Sequence, residues 1–340
     1  MGFVIKFKDR LKLKRKLCPY FRYEVQINGS KGWIIITQLD LFGKEIKQNT
    51  GGKQDKTVIS ASRRTDVPAF FYDWLQGVLA EGSVEVPNPM FPDKKYTVDM
   101  RPSGVHSLVL WSKDFRNVLL NPGLLDRYNL YFQYTVNNYS KFLEPNVPAY
   151  RETLKTLEGL LKKYSPEQFN IRFDPIIISA KGEISPTPGT PEKARLAAFE
   201  RLCCDLKLLG MESCRVTTSY LAMYGHVKNK IGKSGLDIIH LEADRQILFF
   251  TEMAGIAGKH GISLYSCASP ILEGVKGINK GHCIDGELLE KLFEGKVKKT
   301  KDSGQRKACG GTYSRDIGIY SKSAGGMKCR HGCKYCYVAD

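Results

Sequence analysis

Three cysteines near the end of the chain, Cys329, Cys333 and Cys336, stand in the spacing C-x3-C-x2-C, with Tyr335 just before the third and Tyr337 just after it. Thiolates at these separations can each ligate one iron of a 4Fe-4S cluster, and three protein ligands leave the fourth iron open. An open iron is a reaction site. The alternative is a structural zinc ion, completed by His331, His282 or Cys309. Zinc, however, usually takes paired Cys-x2-Cys hooks well separated in sequence, and this motif offers one hook. His331 stands between two such ligands and reads as a hydrogen-bond donor beside the site rather than as a ligand. Cys267, Cys283 and Cys309 form a possible second metal site, or lend a fourth thiolate to the first. Against that stands the reading of each as a small buried apolar residue. Cys203, Cys204 and Cys214 fall on an amphipathic helix and a strand and read as core, whereas Cys18 has no visible partner.

Polar residues also gather where β-rich runs end. Thr57–Ala61 leads into Ser62-Arg63-Arg64-Thr65-Asp66, Val105–Trp111 into Ser112-Lys113-Asp114, and Leu130–Val136 into Asn137-Asn138. Phe169–Phe173 contains Arg172 and leads into Asp174-Pro175. Arg63, Arg64 and Arg172 can clamp a carboxylate or phosphate, because a guanidinium presents a rigid donor fork. Together with Asp66 and Asp174 they read as a catalytic or ligand-binding group. The structural alternatives are that Asp66 caps a helix starting near Pro68 and that Arg172 and Asp174 form an internal ion pair.

The elements that must position these residues follow from hydrophobic periodicity. From residue 56 onward, short β-rich runs alternate with helical stretches: Thr57–Ala61 then 69–80, Val105–Trp111 then 115–128, Leu130–Val136 then 147–164. The pattern continues with Phe169–Phe173 then 191–209, Cys214–Thr218 then 241–260, Ser263–Cys267 then 284–293, and a last strand near 317–320. Seven strands and six helices in alternation predict a parallel sheet. At this length the leading architecture is an α/β fold, a complete or partial (β/α) TIM-like barrel, with a doubly wound open sheet as runner-up. In either fold the chemistry gathers at the C-terminal ends of the strands. Residues 1–55 read instead as an appended basic β-rich extension. Phe3–Lys14 alternates apolar and basic residues, Tyr23–Asn28 and Gly32–Leu39 flank the turn Asn28-Gly29-Ser30, and 49–55 reads as a linker.

Several longer segments resemble one family. Ile59-Ser60-Ala61-Ser62-Arg63-Arg64-Thr65-Asp66-Val67-Pro68-Ala69-Phe70, Arg172-Phe173-Asp174-Pro175-Ile176, Gly281-His282-Cys283-Ile284-Asp285, Gln305-Arg306-Lys307-Ala308-Cys309-Gly310 and Ser314-Arg315-Asp316-Ile317-Gly318 are similar to the bacterial domain-of-unknown-function family 1848. The resemblance covers about residues 58–339. Ser321–Lys328 and the first 55 residues look like additions to the family pattern, and Gly311 stands where a second cysteine is expected after Cys309-Gly310. The cysteine spacing, with its aromatic Tyr335, also resembles the radical SAM motif. That resemblance implies S-adenosylmethionine chelated at the open iron, an electron supplied by a donor such as ferredoxin or flavodoxin, and cleavage to methionine and a 5′-deoxyadenosyl radical. In radical SAM proteins the motif follows the first strand of a partial barrel. Here it follows the last, which implies a circularly permuted order, tolerable because neighbouring barrel strands pair whichever comes first. The substrate and the contacts to S-adenosylmethionine are not specified by any segment.

Composition narrows the classes. The 340 residues contain 42% hydrophobic and 26% charged residues, which excludes disordered, collagen-like and low-complexity chains. Ten cysteines fall short of a disulfide scaffold, and neither a signal peptide nor an 18-residue apolar span is evident. A cytoplasmic protein with reduced thiols and no membrane segment is expected. The net charge of +17 sits at the ends: residues 1–56 carry 13 Lys and Arg against 5 acids, and residues 291–340 carry 12 against 4. Basic ends suit a polyanion, so the alternative function is a nucleic-acid-binding or repair protein with a structural metal site.

Overall fold

The computed structural model describes residues 21–27, 30–36, 56–88, 91, 93–181, 183, 189–302, 306, 308–320 and 325–338. The chain divides into two compact units, Met1–Gln54 and Asp55–Asp340. In the first, strands β1 (Phe21–Ile27) and β2 (Ser30–Ile36) pair antiparallel, with Ile27 opposite Ser30. The strand expected over 3–14 and the linker expected over 49–55 lie outside the described residues.

In the second unit β3 (Thr57–Ala61) is followed by the hairpin β4 (Ser83–Pro87) and β5 (Lys95–Asp99). Then come β6 (Val105–Ser112), β7 (Leu130–Thr135), β8 (Phe169–Ile176) and β9 (Arg215–Tyr220), with β10 (Ser263–Ser266), β11 (Ile278–Lys280) and β12 (Arg315–Asp316) completing the set. Eight of these form one sheet in the order β11-β10-β9-β8-β7-β6-β3-β12. Every neighbouring pair in it is parallel. Parallel neighbours need long crossovers, which is why helices fall between the strands. The order follows the chain except at one point: β12 returns beside β3, with Arg315 opposite Ile59 and Asp316 opposite Ser60. The result is a mixed α/β unit. Its sheet order ends at β11 and β12, and no pairing between those two occurs among the described residues.

Side chains alternate between the two faces of a strand. On one face Ile59, Leu108, Leu110, Phe132, Ile171 and Val216 pack beneath α2 (Tyr72–Glu81), α4 (Tyr150–Leu161), α5 (Pro191–Leu208) and α7 (Ala243–Lys259). The opposite face starts apolar, where Val58, Val109 and Tyr131 meet Ile284, Val297 and Leu289 of α8 (Gly286–Leu292). Two residues further along each strand that face carries Ser60, Trp111 and Gln133. The turn to polarity towards the strand ends sets up the site.

Several elements differ from the periodicity. The helix expected over 69–80 is two: α1 (Val67–Phe70), capped by Asp66 with Pro68 in its first turn, and α2, with the break at the non-helical backbone of Phe71. The helix expected over 115–128 is α3 (Arg116–Leu120) and then a 3-10 turn over Gly123–Arg127, because Pro122 cannot donate to a continuing helix. The last strand is Arg315–Asp316 rather than 317–320. Beyond it the Asp316 carboxylate accepts hydrogen bonds from Gly318 N–H and the Tyr320 hydroxyl, which bends the chain away from the sheet. Sequence periodicity missed β4, β5, β11 and α6 (Gly225–Ser234). No described helix is long and apolar enough to cross a membrane.

Candidate metal and ligand site

The polar face of the sheet carries a connected ladder. Thr217 Oγ1 donates to Asn170 Oδ1 (2.8 Å), and Asn170 Nδ2 donates to Gln133 Oε1 (2.9 Å). Gln133 Nε2 donates to the Cys283 carbonyl (2.9 Å). Arg172 forms a two-point pair with Asp174 (2.6 and 3.1 Å) and lies over the Trp111 ring, and Ser219 Oγ also donates to Asp174. Burial works against the Arg172 charge, but Asp174 and the Cys283 thiol outweigh it and hold the guanidinium above its ordinary value.

The loop that carries Cys329, Cys333 and Cys336 is anchored to the residues that follow three sheet strands. His331 Nε2 meets Asp66 Oδ2 at 2.7 Å, just after β3. The Tyr335 hydroxyl lies 3.2 Å from Lys113 Nζ, after β6, and 3.0 Å from Asn137 Nδ2, after β7. The Tyr337 hydroxyl donates to the Arg63 carbonyl (2.6 Å). Backbone bonds from Asn146 to the His331 carbonyl and from Lys334 to the Leu143 carbonyl fix the rest. The cysteine loop therefore lies at the C-terminal ends of the parallel strands.

Beneath it sits a buried ionic network. Lys113 Nζ is 2.7 Å from Glu144 Oε1, and that carboxylate also accepts from Asn137 Nδ2 and the Tyr335 hydroxyl. Glu144 is 3% exposed. Burial pushes its carboxyl up, but Lys113 and three hydrogen bonds outweigh that and leave it below the ordinary value. Cys333 packs beside this network among Tyr139, Leu143 and Tyr335, and burial raises its thiol while Lys113 opposes the rise. Burial also pushes the Cys329 thiol up to about 11. The three thiols lie within electrostatic reach of one another.

A second group of thiols is tighter. Cys267 Sγ lies 3.4 Å from Cys283 Sγ and 3.5 Å from Cys309 Sγ, and all three sulfurs fall within 4.8 Å. Among the described residues this is the one group of three or more His, Cys, Asp and Glu side chains that converges so closely. Hydrogen bonds from the Cys267 and Cys283 thiols hold Cys309 far below the usual thiol range. Tyr337 is within electrostatic reach of Cys336 in the first group and of Cys283 in the second, and Arg172 of Cys283 and Cys267.

Cys329, Cys333 and Cys336 form a donor set of three thiols on one loop, within electrostatic reach of one another, of the soft kind that thiophilic metals and iron–sulfur clusters take.

The remaining expected site residues are placed as follows. Arg63 is drawn away from the strand ends by Asp302 (3.1 Å) and Ser314. Arg64 is exposed and lies over the Tyr320 ring. Asp66 accepts from Ala69 N–H, Ser112 Oγ, Lys113 N–H and His331, so its carboxylate joins the helix cap, the β6 end and the cysteine loop. Asp66→Ala removes a cap worth about 1 kcal/mol and strands His331. Its unfolding midpoint in urea is expected to fall by the equivalent of about 2–3 kcal/mol, and a change below 0.5 kcal/mol, about the scatter of neutral surface substitutions, would show that the contacts are dispensable. Glu144 is not singled out by the sequence, its only signal an acidic residue beside Phe142-Leu143, whereas Asp316 stands in the family-like segment Ser314-Arg315-Asp316-Ile317-Gly318 with no role assigned to it.

A parallel α/β unit with cysteine groups at and beside its strand ends defines the class, a mixed α/β protein with a thiol group that could hold a metal. A family model described as a domain of unknown function (DUF1848) matches residues 58–338, and the chain belongs to that family. No curated protein and no solved structure matches the chain.

Proposed function

We propose that the chain is a radical-SAM-like iron–sulfur enzyme built on a partial (β/α) barrel in permuted strand order. In this reading Cys329, Cys333 and Cys336 carry a 4Fe-4S cluster, and S-adenosylmethionine is its co-substrate. The observation that carries it is the anchoring of the cysteine loop, through His331, Tyr335 and Tyr337, to the residues that follow β7, β6 and β3. This is where parallel α/β folds place their chemistry. The pairing of β12 with β3 supports the permuted order.

When bound, the cluster supplies an open iron and a low-potential electron, delivered from a donor such as ferredoxin or flavodoxin. The chain's own residues do the rest. The Lys113–Glu144–Asn137 network fixes Tyr335, and the buried Tyr335 ring keeps water from one side of Cys333. Arg172 and Asp174 present a charged, hydrogen-bonding surface to an as yet unknown substrate, with Arg64 exposed nearby for an anionic group. Reduced thiols and this chemistry suit a cytoplasmic setting.

The nucleic-acid reading draws less support. In the basic C-terminal segment Arg315 lies over Tyr96 and Tyr313, Lys334 over Phe142, and Lys296 and Lys299 on Glu290, so much of that charge is engaged internally. Anaerobic purification followed by iron and acid-labile sulfide analysis tests the proposal. About four iron and four sulfide per chain are expected. Iron without sulfide, or neither, overturns it.

A further inference from the structure

We propose that Cys267, Cys283 and Cys309 hold a single thiophilic metal ion of the zinc class, separate from the C-terminal cysteine motif. This goes beyond the reading above and does not depend on it.

The three thiols come from different parts of the chain. Cys267 follows β10, Cys283 precedes α8, and Cys309 lies ahead of β12. Distant segments rarely bring three sulfurs together without a shared ligand, because buried thiols behave as small apolar groups with no need of one another. A disulfide does not account for the group, since Cys267 Sγ stands 3.4 Å from one sulfur and 3.5 Å from the other, well beyond a sulfur–sulfur bond of about 2.05 Å. The spacing fits one ion: metal–sulfur bonds of about 2.3 Å in tetrahedral geometry set thiolates about 3.8 Å apart. Separations of 3.4 and 3.5 Å need only a slight expansion.

The surroundings are prepared for negative charge. Backbone N–H groups of Gly311 and Cys283 point at Cys309 Sγ, as amides do around metal-bound thiolates, and Arg172 lies within electrostatic reach of Cys283 and Cys267. Close by, a Cβ on Gly310 would stand 2.3 Å from His282 Cε1, so the glycine lets that ring sit against the backbone next to Cys309. The Nδ1 of His282 is buried with no hydrogen-bond partner. Binding releases the remaining thiol protons to solvent. Three protein thiolates leave a fourth coordination position, the arrangement of ions that accept a water or a substrate donor rather than of closed structural sites. The fourth donor would be a thiol, amine or water, with Arg172 within electrostatic reach of Cys283 and Cys267.

The test uses the full chain with Cys329, Cys333 and Cys336 replaced by Ala, titrated anaerobically with Co2+ and analysed as isolated for zinc, iron and sulfide. About one ion per chain is expected, with the thiolate-to-cobalt charge-transfer band and visible bands of a four-coordinate site. Because loss of a mere supporting contact costs 10–100-fold in metal affinity, Cys283→Ser in that background is expected to weaken cobalt binding by more than about 100-fold. Cys204→Ser leaves it unchanged. Should the triple variant fail to fold, the same titration of the wild-type chain is read for a thiolate–cobalt band that Cys283→Ser removes. No thiolate–cobalt band, or iron with sulfide retained by a folded triple variant, overturns the proposal. Failure of iron–sulfur loading at the C-terminal motif leaves this outcome untouched, so the two readings fail separately.

Discussion

Replacing Cys333 by Ala is expected to remove the acid-labile sulfide of the C-terminal motif and its broad visible absorbance, and to lower S-adenosylmethionine cleavage by more than about 100-fold, beyond the loss typical of a supporting contact. Cys329→Ala and Cys336→Ala are expected to do the same, because in the proposed cluster each thiolate would hold a different iron and two ligands would not retain it. Cys333 is the most severe of the three, since it is buried beside Tyr335 and Lys113 whereas Cys329 and Cys336 are half-buried. Cys203→Ala is the control. That thiol is fully buried in the core between helices and sheet, so its loss costs about 1 kcal/mol of stability and leaves sulfide content intact. Equal loss of sulfide in all four variants would mean that the effect is one of folding, and that the ligand assignment is wrong.

Glu144→Leu is expected to cost about 3–5 kcal/mol of stability, measured by urea unfolding, because it leaves the Lys113 ammonium buried without its partner. The same carboxylate holds Asn137 and Tyr335, so the cysteine loop also loses its anchor and cluster content falls. The double change Lys113→Met with Glu144→Leu separates the two effects. A buried pair replaced by apolar groups of similar volume is often neutral, so stability returns to within about 1–2 kcal/mol of wild type. Cluster content does not return, because Tyr335 still lacks its acceptor. Recovery of both would show that the network serves stability alone.

The sequence made the alternation of strand and helix legible because a parallel strand is a continuous apolar run: β3, β6, β7 and β8 all begin where periodicity puts them. It could not show which strands are neighbours. That β12 pairs with β3 rests on two residues, too few to leave a periodic signal, and on the long-range Ser60–Asp316 hydrogen bond. The hairpin β4–β5 did leave a signal, the alternation Ser83-Val84-Glu85-Val86, which the helix-and-strand rhythm on either side obscured. The break at Phe71 was hidden because Phe is compatible with a helix, and only its own backbone, at φ −133° and ψ 33°, departs from one.

At the site, Cys329, Cys333 and Cys336 are singled out by local spacing alone. Arg172 and Asp174, two apart on one strand, share a face by the period of the strand and do pair, as the ion-pair alternative required. Asp66 takes up the cap foreseen for it and also the bond to His331. Lys113, Asn137 and Glu144 join into one network only because β6 and β7 are adjacent and the chain after β7 folds back over them. Such groups are set by topology, which no window of sequence contains. The convergence of Cys267, Cys283 and Cys309 belongs to the same category.

The measurement that tests the central claim most directly is anaerobic incubation of the iron–sulfur-loaded, full-length chain with S-adenosylmethionine and dithionite, followed by quantification of 5′-deoxyadenosine and methionine. The account predicts both products in equal amounts, dependent on reductant and absent from Cys333→Ala. A fully loaded, reduced chain that leaves S-adenosylmethionine intact, or that yields no more product than Cys333→Ala, contradicts it.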